Sequence, residues 1–357
     1  MRFKSLMIEV GTSVPKNSIL AHAQVLGTYK INKGTILTSK HIKELLNNKI
    51  SKVTIAIPDK GDVEENKAAE ITAKIISGHN LIASKPIRGR ANIYADIQGL
   101  LKINEDDLIS MNKVNEAISI STLPNFTSVQ KGQLIATSKI IPFFLSSKCL
   151  TQAQQEFTNK PSLSIKPFVR NNLTIIFTKS QISKKSLYEK SKISTIARLK
   201  NLGLFAEKII EIPHSYISLE SELKRVCEKI KQDDTFDTSC ILIFSAIATT
   251  DRQDIVPQSI VRSGGSILRF GLPVDPGNLT VIAELNKTPI LGLPGCARSS
   301  KQNGFDWILE RTLANIEITD SDIAKMGIGG LLKEMPNRPE PREPKERKKD
   351  KKKKNIA

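Results

Sequence analysis

The chain has 357 residues, of which 39% are apolar, 5% aromatic and 25% charged, and its net charge is +18. That length suggests two or three domains, and that apolar content excludes a disordered chain. The longest apolar runs, such as Ile140-Ile141-Pro142-Phe143-Phe144-Leu145, fall short of the ~18–20 residues a membrane-spanning helix needs. Residues 1–9 lack the apolar centre of a signal peptide, and Cys149, Cys227, Cys240 and Cys296 form no CxxC pair. A cytoplasmic, reducing setting without zinc or disulfides, and without a membrane partner, is expected.

Residues 338–357 hold ten basic and four acidic side chains, a net +6, and are too polar to bury a core; they are expected to form a disordered basic tail. The remaining excess reads as lysines on solvated faces, or as attraction for a phosphorylated or polyanionic ligand. Without a zinc finger or an aromatic–basic RNA signature, nucleic acid is the weaker reading.

Residues 1–168 alternate short strand and helix signals, as an N-terminal α/β accessory domain would. Ser39–Asn47 predicts a helix with Ser39 as N-cap and Ile42, Leu45 and Leu46 on one stripe. Lys52–Ile57 predicts a strand stopped by Pro58, and residues 64–76 a helix ended at Gly78. Gly89-Arg90-Ala91-Asn92 reads as the opening of a helical or turn segment, and residues 146–167 as a polar linker.

From Asn172 the pattern becomes regular. Leu173-Thr174-Ile175-Ile176-Phe177-Thr178 and Cys240-Ile241-Leu242-Ile243-Phe244 are continuous β-type runs of the kind buried on both faces of a parallel sheet. Between them lie a helical stretch at 184–202, a strand at 207–212 and an amphipathic helix at 219–231 bearing Leu223, Val226, Cys227 and Ile230. A strand at 280–285 and a helix at Gly304–Leu313 follow. The alternation predicts an α/β domain over 169–317, with a doubly wound, mostly parallel sheet and helices on both faces, then a C-terminal extension over 318–337 with a Gly-rich turn at 326–330.

In such a sheet the ligand sits at the carboxyl ends of the strands. Three loops leave strand ends with small or ionisable residues. Residues 245–254 carry Ser245, Thr249 and Thr250, suited to phosphate, and Asp251 and Asp254, suited to a divalent cation or to helix capping. Residues 271–278 place Asp275 before the tight turn Pro276-Gly277-Asn278. Residues 292–300 join Gly295 to Arg298 and Ser299 ahead of a helix, an arrangement suited to an anion. Cys296, with no histidine near it in sequence, reads as a packed thiol rather than a nucleophile.

This order of loops resembles the molybdopterin-binding domain of molybdopterin adenylyltransferases and molybdotransferases. More specifically it is similar to the molybdopterin-binding half of bacterial proteins fused to a nucleotidyltransferase and associated with molybdenum hydroxylase maturation. The residues carrying the resemblance are Asp251-Arg252-Gln253-Asp254, Pro273-Val274-Asp275-Pro276-Gly277-Asn278-Leu279, Gly292 through Ser299, Asn303-Gly304-Phe305-Asp306-Trp307, the stretch 327–332 and Arg338-Pro339. In the first domain they are Lys33-Gly34-Thr35-Ile36-Leu37-Thr38, Gly61-Asp62-Val63-Glu64-Glu65, Gly89-Arg90-Ala91-Asn92 and Lys139-Ile140-Ile141-Pro142-Phe143.

The resemblance implies a protein of molybdenum cofactor biosynthesis that binds molybdopterin, a pterin dithiolene bearing a phosphate, and supports molybdenum insertion or hand-over for nucleotide attachment. Molybdopterin, molybdate and Mg2+ are its implied ligands. Asp251 and Asp275 are the candidate catalytic acids, and Asp251 and Asp254 the candidate metal ligands. Ser245, Thr249, Thr250, Arg252, Gly277, Asn278, Gly295, Arg298 and Ser299 are the candidate pterin-phosphate contacts. The family's acidic loop after the first strand is replaced by Phe177-Thr178-Lys179-Ser180-Gln181, and no nucleotidyltransferase loop is present. Three readings stay open: a molybdotransferase, a non-catalytic carrier serving a separate cytidylyltransferase, and an anion- or nucleic-acid-binding protein reusing the fold; a separate nucleotidyltransferase and a molybdenum hydroxylase are the implied protein partners. A homodimer is left open.

Overall fold

A computed structural model describes residues 1–157, 161–181 and 185–332. The chain divides into two compact units, Met1–Phe168 and Val169–Ala357. The expected basic tail, Arg338-Pro339 and the last residues of the extension lie outside the described residues. Among the described residues, no helix is long and apolar enough to cross a membrane.

In the first unit, strand Lys52–Ile57 lies between antiparallel Arg2–Met7 and Ile19–Leu20. Helix Ser39–Asn47 places Ile42 and Leu45 in a core with Leu20, Ile31 and Ile55. Thr38, not Ser39, takes the cap position, its backbone N–H donating to His41 Nδ1 at 3.2 Å. A second core forms where Ala68, Ala69, Ala73 and Ile76 of helix Glu65–Ile76 pack with residues of a four-stranded sheet.

Two expectations for this unit are overturned. Gly89 is a turn residue at φ +69°, but Arg90–Ala95 is a strand, with Ala91, Ile93 and Ala95 buried on alternate positions. Residues 146–167 are not a plain linker. Helix Ser147–Phe157 buries Leu150, Ala153 and Phe157, and strand Leu163–Lys166 pairs antiparallel with Gly99–Ile103. Its polar composition conceals three core contacts at helical spacing.

The second unit begins with β1 (Asn172–Lys179), α1 (Lys185–Asn201), β2 (Ala206–Pro213), α2 (Tyr216–Gln232) and β3 (Ser239–Phe244). It continues through α3 (Ile255–Arg262), β4 (Ser266–Phe270), β5 (Val281–Leu285), β6 (Thr288–Leu293), α4 (Gly304–Leu313) and α5 (Asp320–Lys325). The six strands form one mixed sheet in the order β2-β1-β3-β6-β5-β4. β2, β1, β3 and β6 are parallel neighbours, whereas β5 runs antiparallel to both β6 and β4. Only β5 therefore runs against the rest.

One face of the sheet packs Ile176, Ile241 and Ile243 with Leu219, Leu223, Val226 and Cys227 of α2 and Val256 and Ile260 of α3. Phe177 points to the opposite face, where Tyr188 of α1 meets it edge-on at 5.4 Å. α1 and α4 are joined there by an ion pair between Arg198 and Asp306.

Candidate anion-binding site

Since β1, β2, β3, β4 and β6 share one direction, the segments following them emerge at one rim. Between β1 and β3 the chain order of the strands reverses, opening the crevice in which α/β sheets bind ligands. Thr178 and Lys179 lie on one side of it, and Ser245 and Ala246 on the other.

Arg298 closes this crevice. It ends the 3-10 turn Gly295–Arg298, and its guanidinium lies 5.1 Å from the Phe244 ring centroid. Phe244 stacks in turn on Phe177 at 5.9 Å. The cation thus rests on an apolar column, and burial lowers its pKa, with Cys296 opposing. Its protein bonding is sparse: Nη1 donates to Gly295 O at 3.4 Å, while Nε is buried without a partner among the described residues. No carboxylate among the described residues pairs with it. A partly desolvated guanidinium with an unmet donor favours an anion.

Beyond Arg298 opens a cleft of about 1050 Å3 between α1 and residues 295–303. Lys190, Ile193, Pro276, Ser299 and Lys301 are among its walls. No acidic side chain among the described residues lines either space.

The cleft's turn is held by a residue that sequence reasoning missed. Arg198, 7% exposed, donates from Nε to Asp306 Oδ1 at 2.7 Å and from Nη1 to Ala297 O at 2.6 Å. Its Nη2 reaches Ser299 O and Lys301 O. Asp306 Oδ2 accepts the Asn303 N–H at 2.7 Å, so this one pair ties α1, the turn and the start of α4 together. A second omission is at the β1 end, where Thr178 Oγ1 accepts the Ala246 N–H and meets His214 Nδ1, both at 2.9 Å. Burial lowers the His214 pKa against the raising influence of Asp254. The Asn303–Asp306 bond is a local capping box, but the Arg198–Asp306 and Thr178–His214 contacts have no local pattern, because their partners lie 36 or more residues apart.

Of the residues singled out in the sequence, Ser245, Gly295, Arg298 and Ser299 line the crevice or the cleft. Ser245 is buried, and its hydroxyl makes no hydrogen bond among the described residues. The others lie elsewhere. Thr249 is buried, and Thr250 is exposed with its N–H donating to Asp254 at 2.6 Å. Arg252 is exposed, 6.0 Å from the Phe270 ring centroid. Gly277 is buried against Gly304, while Asn278 is exposed. Asp275 is tied through its backbone to the extension: its N–H donates to Gly330 O and its carbonyl accepts from Leu332, both at 2.9 Å.

Asp251 and Asp254 brace their own loop. Asp254 Oδ2 accepts the backbone N–H groups of Thr250 and Asp251, which lower its pKa, and Asp251 Oδ1 accepts the Gln253 N–H at 2.7 Å. Among the described residues no group of three or more His, Cys, Asp or Glu is placed to hold a metal ion. The donors present fit only a cation that takes most of its ligands from substrate and water, as Mg2+ commonly does.

No family model matches the chain, and no curated protein matches it. Among solved structures it is similar to a molybdopterin biosynthesis MoeA protein from Pyrococcus horikosii, at 11% identity and a TM-score of 0.27, over 71% of this chain and 79% of that one. It is also similar to a molybdenum cofactor biosynthesis protein from Pyrococcus furiosus, at 13% identity and a TM-score of 0.19, over 64% and 70% of the two chains.

Proposed function

We propose that the second unit binds molybdopterin and serves molybdenum cofactor biosynthesis on a doubly wound molybdopterin-binding fold. The carrying observation is Arg298, whose buried Nε, among the described residues, lacks a partner, between a hydroxyl-lined crevice and a cleft that no described acid lines. The crevice itself is about 20 Å3, room for little more than a water, so a phosphate would sit at its mouth, taking Arg298 donors and, on its inner side, the Ser245 hydroxyl, charge-assisted bonds that a ketone or neutral ring cannot match. The pterin would extend along Gly295 and Ser299 into the cleft, whose volume of about 1050 Å3 is ample for it. The motifs that carry the sequence resemblance at 273–279 and 292–299 contribute Pro276, Gly295 and Arg298 to these walls.

For molybdenum insertion, Asp251 is the first candidate acid and Asp275 the second, with molybdate as substrate. A Mg2+ held by Asp251 and Asp254 together with ligand oxygens would supply neutralisation of the anionic charge. The second reading, a carrier that presents molybdopterin to a separate cytidylyltransferase, is favoured by the bracing of both loop carboxylates by backbone amides. Mass spectrometry of the pterin co-purifying with the protein tests the binding: wild type should retain molybdopterin and Arg298→Ala should lose it. Equal retention by both would refute the site. Molybdate- and Mg-dependent turnover that Asp251→Ala abolishes marks the transferase; retention without turnover marks the carrier.

A further inference from the structure

At the crevice mouth the strand register pairs Phe177 of β1 with Glu211 of β2, so Lys179, two residues on, shares their face. α1 crosses the same face and carries Tyr188 and Lys192 one helical turn apart. All three donors converge on one carboxylate. Lys179 Nζ and the Tyr188 hydroxyl donate to Glu211, and Lys192 Nζ lies 3.6 Å from its Oε1. Lys179 Nζ also sits 4.5 Å over the Tyr188 ring. Lys179 and Tyr188 line the same crevice as Ser245 and Arg298, so this cluster adjoins the proposed phosphate position.

We infer that Lys179, Lys192 and Tyr188 form a second subsite for a tetrahedral oxyanion, which Glu211 occupies in the free protein and vacates when the anion binds. The inference rests on the reading of the Arg298 crevice as an anion site. Two ammonium groups and a phenol around a carboxylate offer the donor set a phosphate needs, with charge to spare: the cluster is +1 with Glu211 in place, and Arg298 adds another positive charge. Glu211 is about a third exposed and Lys179 about half exposed. Ion pairs at such exposure are weak, so a doubly charged oxyanion bearing three acceptor oxygens competes effectively with one carboxylate. Glu211 thereby guards the site against weakly charged ligands and keeps the lysines gathered until a stronger anion arrives.

Calorimetric titration with orthophosphate, and separately with phenyl phosphate, tests this on the full chain at low salt. Removing the competing charge in Glu211→Gln should tighten both by about fivefold, the upper end of what an exposed ion pair is worth. Adding Lys179→Gln should cancel the gain, and Lys179→Gln alone should weaken binding. Tightening of orthophosphate alone identifies the free anion as the occupant, and tightening of both includes the monoester. Unchanged or weaker binding in Glu211→Gln, at an unchanged melting temperature, overturns the inference, since Glu211 would then be building the site. Should Glu211→Gln not fold, Lys179→Gln decides: unaltered phosphate affinity there overturns it. The two readings fail separately. If Arg298→Ala abolishes phosphate binding while Glu211→Gln changes nothing, only the second subsite falls. If no pterin co-purifies yet Glu211→Gln tightens phosphate, only the pterin assignment falls.

Discussion

Replacing Arg198 with methionine removes the clamp of the turn at 295–303 while keeping much of its apolar stem. In the native unit the guanidinium neutralises Asp306 at 2.7 Å and bonds to Ala297 O at 2.6 Å, with Ser299 O and Lys301 O completing the set. Asp306 keeps the Asn303 N–H and Ala297 O keeps the Ser194 hydroxyl at 2.9 Å, so the turn is not stripped entirely. The carboxylate, however, is left buried without a cation, a change that typically costs about 3–5 kcal/mol. For a unit of this size that corresponds to a fall in Tm of roughly 10 °C.

The loss should also depend on pH. Burial raises the Asp306 pKa and Arg198 opposes the rise. A carboxyl whose folded pKa is raised contributes most below its ordinary range, and that contribution is lost as pH rises through the folded value. Without Arg198 the folded pKa climbs further, so the deficit of Arg198→Met should shrink in acid and grow toward neutrality. Thermal melts of Arg198→Met and of Arg198→Met/Asp306→Asn across that range, followed by circular dichroism, provide the measurement. The double variant should regain about half of the loss, because it removes the stranded charge. A deficit below about 1 kcal/mol, flat in pH and unrelieved by Asp306→Asn, would refute the clamp.

Gly277→Ala should destabilise the second unit by about 2–4 kcal/mol and weaken anion binding, as a loss of Tm and a weaker phosphate titration would register. Gly277 has φ +134°, and an added Cβ would lie 2.6 Å from the backbone nitrogen of Gly304, which cannot yield without moving the start of α4. Burial, with Asp306 adding repulsion and Arg311 opposing, pushes the Glu310 carboxyl from 4.5 up to about 8. Stability of the second unit should therefore fall as pH rises from about 4.5 toward about 8, and Glu310→Gln should flatten that slope in urea titrations at a series of pH values.

The second unit was the more legible half. Uninterrupted apolar runs such as Leu173-Thr174-Ile175-Ile176-Phe177 occur where both faces of a strand are covered, so their composition alone marks central parallel strands. The amphipathic stripe of Leu223, Val226, Cys227 and Ile230 likewise identified a helix and its buried face. In the first unit, Ala91 and Ala95 carried too weak a signal to reveal the Arg90–Ala95 strand, and Ser147–Phe157 spread its core residues through a polar segment.

The site divides along the same line. Sequence determined which turns carry small, hydroxyl and basic residues, and strand order placed those turns at one rim. Only the tertiary structure separates them: Ser245, Gly295 and Ser299 line the spaces on either side of the Arg298 guanidinium, whereas Asp251 and Asp254 brace their own loop. It also brought in Arg198 and Glu211, whose partners lie tens of residues away, and set Lys179, visible in the sequence as the replacement in the first-strand loop, against Glu211. The reason is physical. Backbone preferences are set by near neighbours, whereas burial, charge pairing and the unmet donor of Arg298 depend on segments brought together by packing of the sheet and its helices.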